Sequence, residues 1–236
     1  MVALVGGTAT AIFLLWPDAQ PKPDENPPPP VALVDSDVDR EQNVKADVYS
    51  DTGIPPEKLL ERASVVSAVL RNSGDNPVLV THADVRLSAA VTVGCDSGSG
   101  LATIQAQYDV KFPVAAAAGY VATRKMKYTL PPHSQERVAF TVGPEKHFAG
   151  SLPKVYTFTI DLHMDDGSKV TIPEVSYLSP LKVAQGFLDN AKAKRVRSPA
   201  CLPQQARAVS RLVEGAARPS PELREFSEEF TRATAP

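Results

Sequence analysis

A mainly β fold is predicted for this chain: an antiparallel β-sandwich with an apolar segment in front of it and a helical tail behind. Three observations carry that reading. Large apolar residues recur at every second position in several separate runs, as in strands with one face on a core and one in water. Turn-forming clusters separate those runs, with no helical period between them. Past Ser179 the apolar spacing lengthens to three or four residues, which is helical. With 43% hydrophobic but only 6% aromatic residues, the core must be filled mainly by Val, Leu, Ile and Ala. The formal net charge of -2 argues against nucleic acid as a partner, since such proteins usually carry a strong basic excess.

The first segment, Val2 to Trp16, carries no charge. It is somewhat shorter than the roughly 20 apolar residues that span a bilayer, and it lacks the basic start and cleavage pattern of a signal peptide. Residues 1–16 are read as a membrane anchor, with a buried terminal strand or helix as the alternative. The flank beyond carries Asp18, Asp24 and Glu25 against Lys22 alone, which by the positive-inside rule places the rest of the chain outside the cytoplasm. Residues 17–41 are read as a proline-rich stalk, densest from Pro17 to Pro30 and extended as polyproline II.

The sandwich is assigned to residues 42–178. Val44, Ala46 and Val48 alternate with polar neighbours, and after Pro55-Pro56 the run Glu57 to Arg62 is expected to form a short helical turn. Val66, Ala68 and Leu70 mark a strand. Asn72 to Pro77 is dense in turn formers. In the longest run, Leu79, Ala83, Val85, Leu87, Ala89, Val91 and Val93 share the core face, with His82, Asp84, Arg86, Ser88 and Thr92 outward. A loop at Asp96 to Gly100 leads to one strand through Ile104, Ala106, Tyr108, Val110 and Phe112. Further strands are expected over Tyr120 to Leu130 and at Val138, Phe140 and Val142.

The clearest alternation lies at the end of this region. Tyr156, Phe158, Ile160, Leu162 and Met164 are apolar, and Thr157, Thr159, Asp161, His163 and Asp165 between them are polar. Asp165-Asp166-Gly167 then makes a turn. With Gly167 in the left-handed position of a three-residue loop, Leu162 faces Val170 and Ile160 faces Ile172, so both strands point their apolar residues the same way. About eight strands result.

Residues 179–236 form the helical tail. Ser179-Pro180 and Ser220-Pro221 each read as an N-cap followed by a first-turn proline. The stripes are Leu181, Ala184, Phe187, Leu188 and Ala191; Leu202, Ala206, Val209 and Val213; and Leu223, Phe226 and Phe230. They are expected to lie against the sandwich or a partner.

Few constellations carry chemistry. Cys95-Asp96-Ser97-Gly98-Ser99-Gly100 resembles the nucleophile loop of trypsin-like serine proteases, and His82 and Asp84 precede it. That mechanism needs its three groups to converge from separate parts of the fold, whereas these share one strand and its turn, so a hairpin loop is expected. Asp161, His163 and Asp165 share an outward face where a metal could sit, but one strand rarely supplies a full site, and an exposed polar face is the expectation. Lys192, Lys194, Arg195 and Arg197 suit a helix C-terminus, with anionic lipid or nucleic acid as the alternative. No P-loop, dinucleotide-binding glycine pattern or zinc-spaced cysteine pair occurs. Neither a catalytic residue nor a cofactor is assigned, and the chain is not expected to be an enzyme.

Arg71-Asn72-Ser73-Gly74-Asp75-Asn76-Pro77, followed by Val78-Leu79-Val80, resembles the strand-turn-strand of bacterial extracytoplasmic immunoglobulin-like modules. The resemblance covers roughly Asn43 to Leu178. It implies an immunoglobulin-like sandwich that binds proteins or acts as a spacer, and it carries over no catalytic residue. The reading is therefore a membrane-anchored extracytoplasmic protein with a binding or scaffolding role at the cell envelope, its partner an unknown protein. The alternatives are a ligand- or metal-binding accessory subunit of an envelope enzyme or transporter, and a hydrolase with an unrecognised site. The segment Gly143 to Pro153 is the candidate binding loop, exposing His147 and Phe148 among Gly and Pro. Cys95 and Cys201 are expected to form a disulfide, since an even count outside the cytoplasm favours pairing.

Overall fold

The computed structural model describes residues 29–50, 55–95, 102–148, 150–196 and 198–235. The anchor expected at residues 1–16 and the stalk up to residue 28 lie outside them. Among the described residues no helix is long and apolar enough to cross a membrane.

The hairpin forms as counted. In β9 (Lys154–Met164) and β10 (Lys169–Ser179), Leu162 faces Val170 and Ile160 faces Ile172. Gly167 has φ +84°, and Met164 N donates to Ser168 O at 3.0 Å across the three-residue loop. The pairing slips between Ile172 and Val175, around Pro173, which has no N–H to give the ladder.

Two sheets result. β3 (Val78–Thr92) pairs with β9 on one side and with β6 (Val121–Leu130) on the other, which makes a four-stranded sheet ordered β10-β9-β3-β6. The other strands are β1 (Val31–Ser50), β2 (Glu57–Asn72), β4 (Ala102–Ala106), β5 (Val110–Phe112), β7 (Ser134–Pro144) and β8 (His147–Phe148). They form a six-stranded sheet ordered β5-β7-β2-β1-β4-β8. The inner faces of the two sheets share one core, with Val66, Leu70 and Phe140 meeting Val85, Leu87, Phe158 and Ile160. The Tyr177 hydroxyl of β10 donates to the Val142 carbonyl of β7, tying one sheet to the other inside that core.

The expectations fail at particular points. The segment expected to be stalk cannot run to residue 41, because β1 starts at Val31; a register shift between Leu33 and Asp35 hides the alternation of β1. Glu57 to Arg62 is strand rather than a helical turn, paired residue by residue with Asn43 to Val48 of β1. Leu79 does not share the face of Ala83, since a shift between Val80 and His82 reverses parity and buries Val78 and Val80 instead. A second shift between Leu87 and Ala89 leaves Val91 exposed. The run from Ile104 to Phe112 is two strands, with β4 beside β1 and β5 beside β7. The Asp109 carboxylate between them accepts from Thr141 N and Oγ1, both at 2.9 Å, and its own N–H donates to Thr141 Oγ1. β5 and β7 run parallel, an exception to the antiparallel arrangement.

The tail contains α1 (Leu181–Lys192), α2 (Leu202–Gly215) and α3 (Pro221–Ala233). Ser220 caps α3 as expected, accepting from Leu223 N at 3.1 Å. Ser179 does not cap α1: it is the buried last residue of β10, and Pro180 holds the cap position. The apolar stripes of the three helices form a second core together with Val155 and Leu178 from the four-stranded sheet and Val93 just past the end of β3. The helices therefore lie against the sheets. Glu222 of α3 also reaches the six-stranded sheet, accepting from Glu41 N at 2.9 Å and Ser64 Oγ at 2.8 Å.

Candidate functional site

Two places carry the candidate residues. The first is the candidate binding loop. β8 is an edge strand paired only with β4, Ile104 facing His147 and Thr103 facing Phe148. Strand alternation then sends the two side chains opposite ways. Phe148 is 43% exposed as expected, but His147 is only 5% exposed, which corrects its assignment to the surface. It lines a cavity of about 150 Å³ with Thr92, Lys146, Phe148, Lys154 and Ser179.

Neither ring nitrogen of His147 has a hydrogen-bond partner, and burial pushes its pKa down from 6.5 to about 4. The unfolded chain therefore binds the proton first as pH falls. Stability tied to this ring is present above about pH 6.5 and is lost on acidification toward pH 4, by about 2–3 kcal/mol. Urea unfolding at pH 7.5 and pH 4.5 should show that extra loss in the wild type and not in His147→Leu. Identical pH dependence in the two proteins would contradict it.

The second place is the outer face of the four-stranded sheet. The register of β3 against β9 sets His82 opposite His163 and Asp84 opposite Asp161. The two imidazole rings stack, with centroids 4.2 Å apart and planes within 4°. His163 Nε2 lies 3.3 Å from Asp84 Oδ2. The structure thus regroups the candidate residues, joining His82 and Asp84 of the outward set on β3 to His163 of the set on β9. Asp165 is not part of the group: its Oδ1 accepts from Leu79 N at 3.0 Å. Asp161 is held by Thr171 Oγ1 at 2.6 Å and Lys169 Nζ at 3.2 Å.

The remaining candidates are structural. Cys95 and Cys201 form the expected disulfide, with Cα atoms 6.1 Å apart. Most of the protease-like loop, including Ser97, lies outside the described residues, while His82 and Asp84 sit on one strand. Lys192 at the end of α1 pairs with Glu229 of α3 at 2.6 Å. Arg197 lies outside the described residues. One buried carboxylate escaped the sequence reading: Glu61 is 1% exposed, and desolvation pushes its pKa up. Reading its segment as a helical turn concealed its inward position on β2. In comparisons with known families and curated proteins, no family model and no curated protein matches the chain.

Proposed function

We propose that this protein is a membrane-anchored, extracytoplasmic binding or scaffolding module of the cell envelope, with its two sheets arranged as an immunoglobulin-like sandwich. The observation that carries the binding role is Phe148: a large aromatic left 43% exposed on an edge strand, beside the similarly exposed Val114. Exposed aromatics of this kind are the anchors that partner pockets bury. The outward group His82, Asp84 and Arg86 supports the same reading over a hydrolase. It is absent from the grooves described between α2 and α3, between α1 and α3, and around His147. A half-buried sheet face outside these grooves suits recognition better than a reaction that must exclude water. The disulfide supports placement in an oxidising compartment.

Pull-down from the envelope of the native host should recover a partner protein with the wild type and with Tyr49→Ala, a control at another exposed aromatic. Phe148→Ala should lose at least tenfold of that recovery, the scale of a central aromatic anchor. Unchanged recovery with Phe148→Ala would remove the loop as the interface.

A further inference from the structure

We propose that His82, Asp84 and His163 bind a single first-row divalent transition-metal ion, zinc or copper, on the outer face of the four-stranded sheet. One potential ligand atom from each residue lies within 4.8 Å of the others. The 3.3 Å between His163 Nε2 and Asp84 Oδ2 is informative. Ligand atoms bound about 2.0–2.1 Å from a tetrahedral ion stand roughly 3.3 Å apart, so this pair already has the spacing of one edge of such a shell. His163 Nε2 is shielded from solvent and makes no hydrogen bond. The Asp84 carboxylate is its one neighbour of opposite character, either as the acceptor of an Nε2–H or as a second ligand to an ion held between the two.

The neighbouring bonds engage the other polar atoms of Asp84 and His82. Thr123 Oγ1 donates to Asp84 Oδ1 at 2.6 Å, which fixes the carboxylate and leaves Oδ2 facing His163 Nε2 alone. Thr81 Oγ1 gives its one proton to the His163 carbonyl at 3.0 Å. In its 2.9 Å contact with His82 Nδ1 the hydroxyl must therefore accept, so that ring nitrogen carries the hydrogen. The lone pair of neutral His82 is then on Nε2. Outer-shell bonds of this kind select the tautomer of metal-binding histidines. Asp161 adds negative charge from the facing position, but its oxygens are committed to Thr171 and Lys169.

The stacked rings set one condition. An ion in the plane of one ring lies out of the plane of the other, so capture turns His82 about its Cβ–Cγ bond, a torsion with a broad, soft profile. Two imidazoles and one carboxylate suit zinc or copper, whereas calcium and magnesium take mainly oxygen ligands. Three protein ligands leave at least one position open to water or to a group from outside. The site stands independently of the binding role of Phe148.

Titration of the full 236-residue chain, stripped with EDTA, with ZnCl2 and separately with CoCl2 tests the proposal. One equivalent should bind, cobalt should give the visible absorption of a low-coordinate site, and zinc should raise the melting temperature. His163→Gln and Asp84→Asn should each weaken zinc binding at least tenfold. Thr81→Val should weaken it about tenfold through the outer shell. Asp165→Asn should bind as the wild type does. Circular dichroism confirms that each variant is folded. Absence of stoichiometric binding by the wild type, or equal binding by a folded His82→Ala/His163→Ala variant, would overturn the site.

Discussion

Ile160→Asp is expected to abolish folding, while Thr159→Asp one position away is expected to fold with a nearly unchanged melting temperature. Ile160 is 0% exposed, facing Ile172 on one side and Val85 on the other within the core shared by the two sheets. A carboxylate there leaves water with no partner, at a cost of several kcal/mol, comparable to the whole stability of about 5–15 kcal/mol of a typical domain. Thr159 points the other way and faces Arg86 across β3 and β9. An aspartate in its place meets an opposite charge directly across the strands, which contributes about 0.2–1 kcal/mol. The two variants make the same charge change in the same strand, so only the face differs. Soluble yield and thermal melting followed by circular dichroism give the comparison. Equal melting temperatures would mean that the faces are assigned the wrong way round.

That the face of Ile160 could be counted at all shows what the sequence encodes. β9 and β10 are joined by three residues and hold their alternation from the turn as far as Ile160 and Ile172, before the slip at Pro173, so their register there is a local property. β3 is interrupted near Thr81 and again near Ser88, and each shift reverses parity for residues beyond it. Leu79 and Val91 therefore depart from the face that unbroken alternation predicts. The start of β1 was lost in the same way, behind a shift at Val34 and against the proline-rich stretch before it. Glu57 to Arg62 failed differently. Its neighbouring Leu59 and Leu60 fit either period, and only pairing with β1 across the intervening loop decides between them. His147 follows the same pattern, since alternation on a two-residue strand is invisible until β4 is seen beside it. The cluster of His82, Asp84 and His163 is the extreme case. Alternation marks both halves as outward-facing, but their meeting depends on a pairing between strands some 80 positions apart, as the Thr81–His163 bond at a separation of 82 illustrates. Parity along one strand is readable from the chain; which strand lies next to it is set by the competition of all strands for the core.

Removing the disulfide, by reduction or by Cys95→Ser/Cys201→Ser, is expected to lower stability by roughly 4–5 kcal/mol in the chain-entropy model, because the bridge closes a loop with a sequence separation of 106. The loss should appear first in one helix. α1 continues directly from β10 and sinks Leu181, Ala184 and Leu188 into the second core. α3 has its own ties: Ser220 N donates to Ser176 O at 2.8 Å, and Glu222 is bonded to the six-stranded sheet. α2 packs Leu202, Ala206 and Val209 into the second core and meets α3 through Ser210, 3.3 Å from Ser227 Oγ and 3.2 Å from Thr231 Oγ1, but its polar ties to the sheets are the bridge at its start and the long 3.5 Å contact of Gly94 N with Gln205 Oε1. Amide hydrogen exchange after reduction should therefore show α2 losing protection while β9 and β10 keep theirs. Unchanged protection in α2 would show that apolar packing alone holds it. Alkylating the unfolded but unreduced protein and weighing it supplies the complementary check. No added mass is expected. Two modified cysteines would remove the bridge from the natural protein, and with it the support it lends to a location outside the cytoplasm.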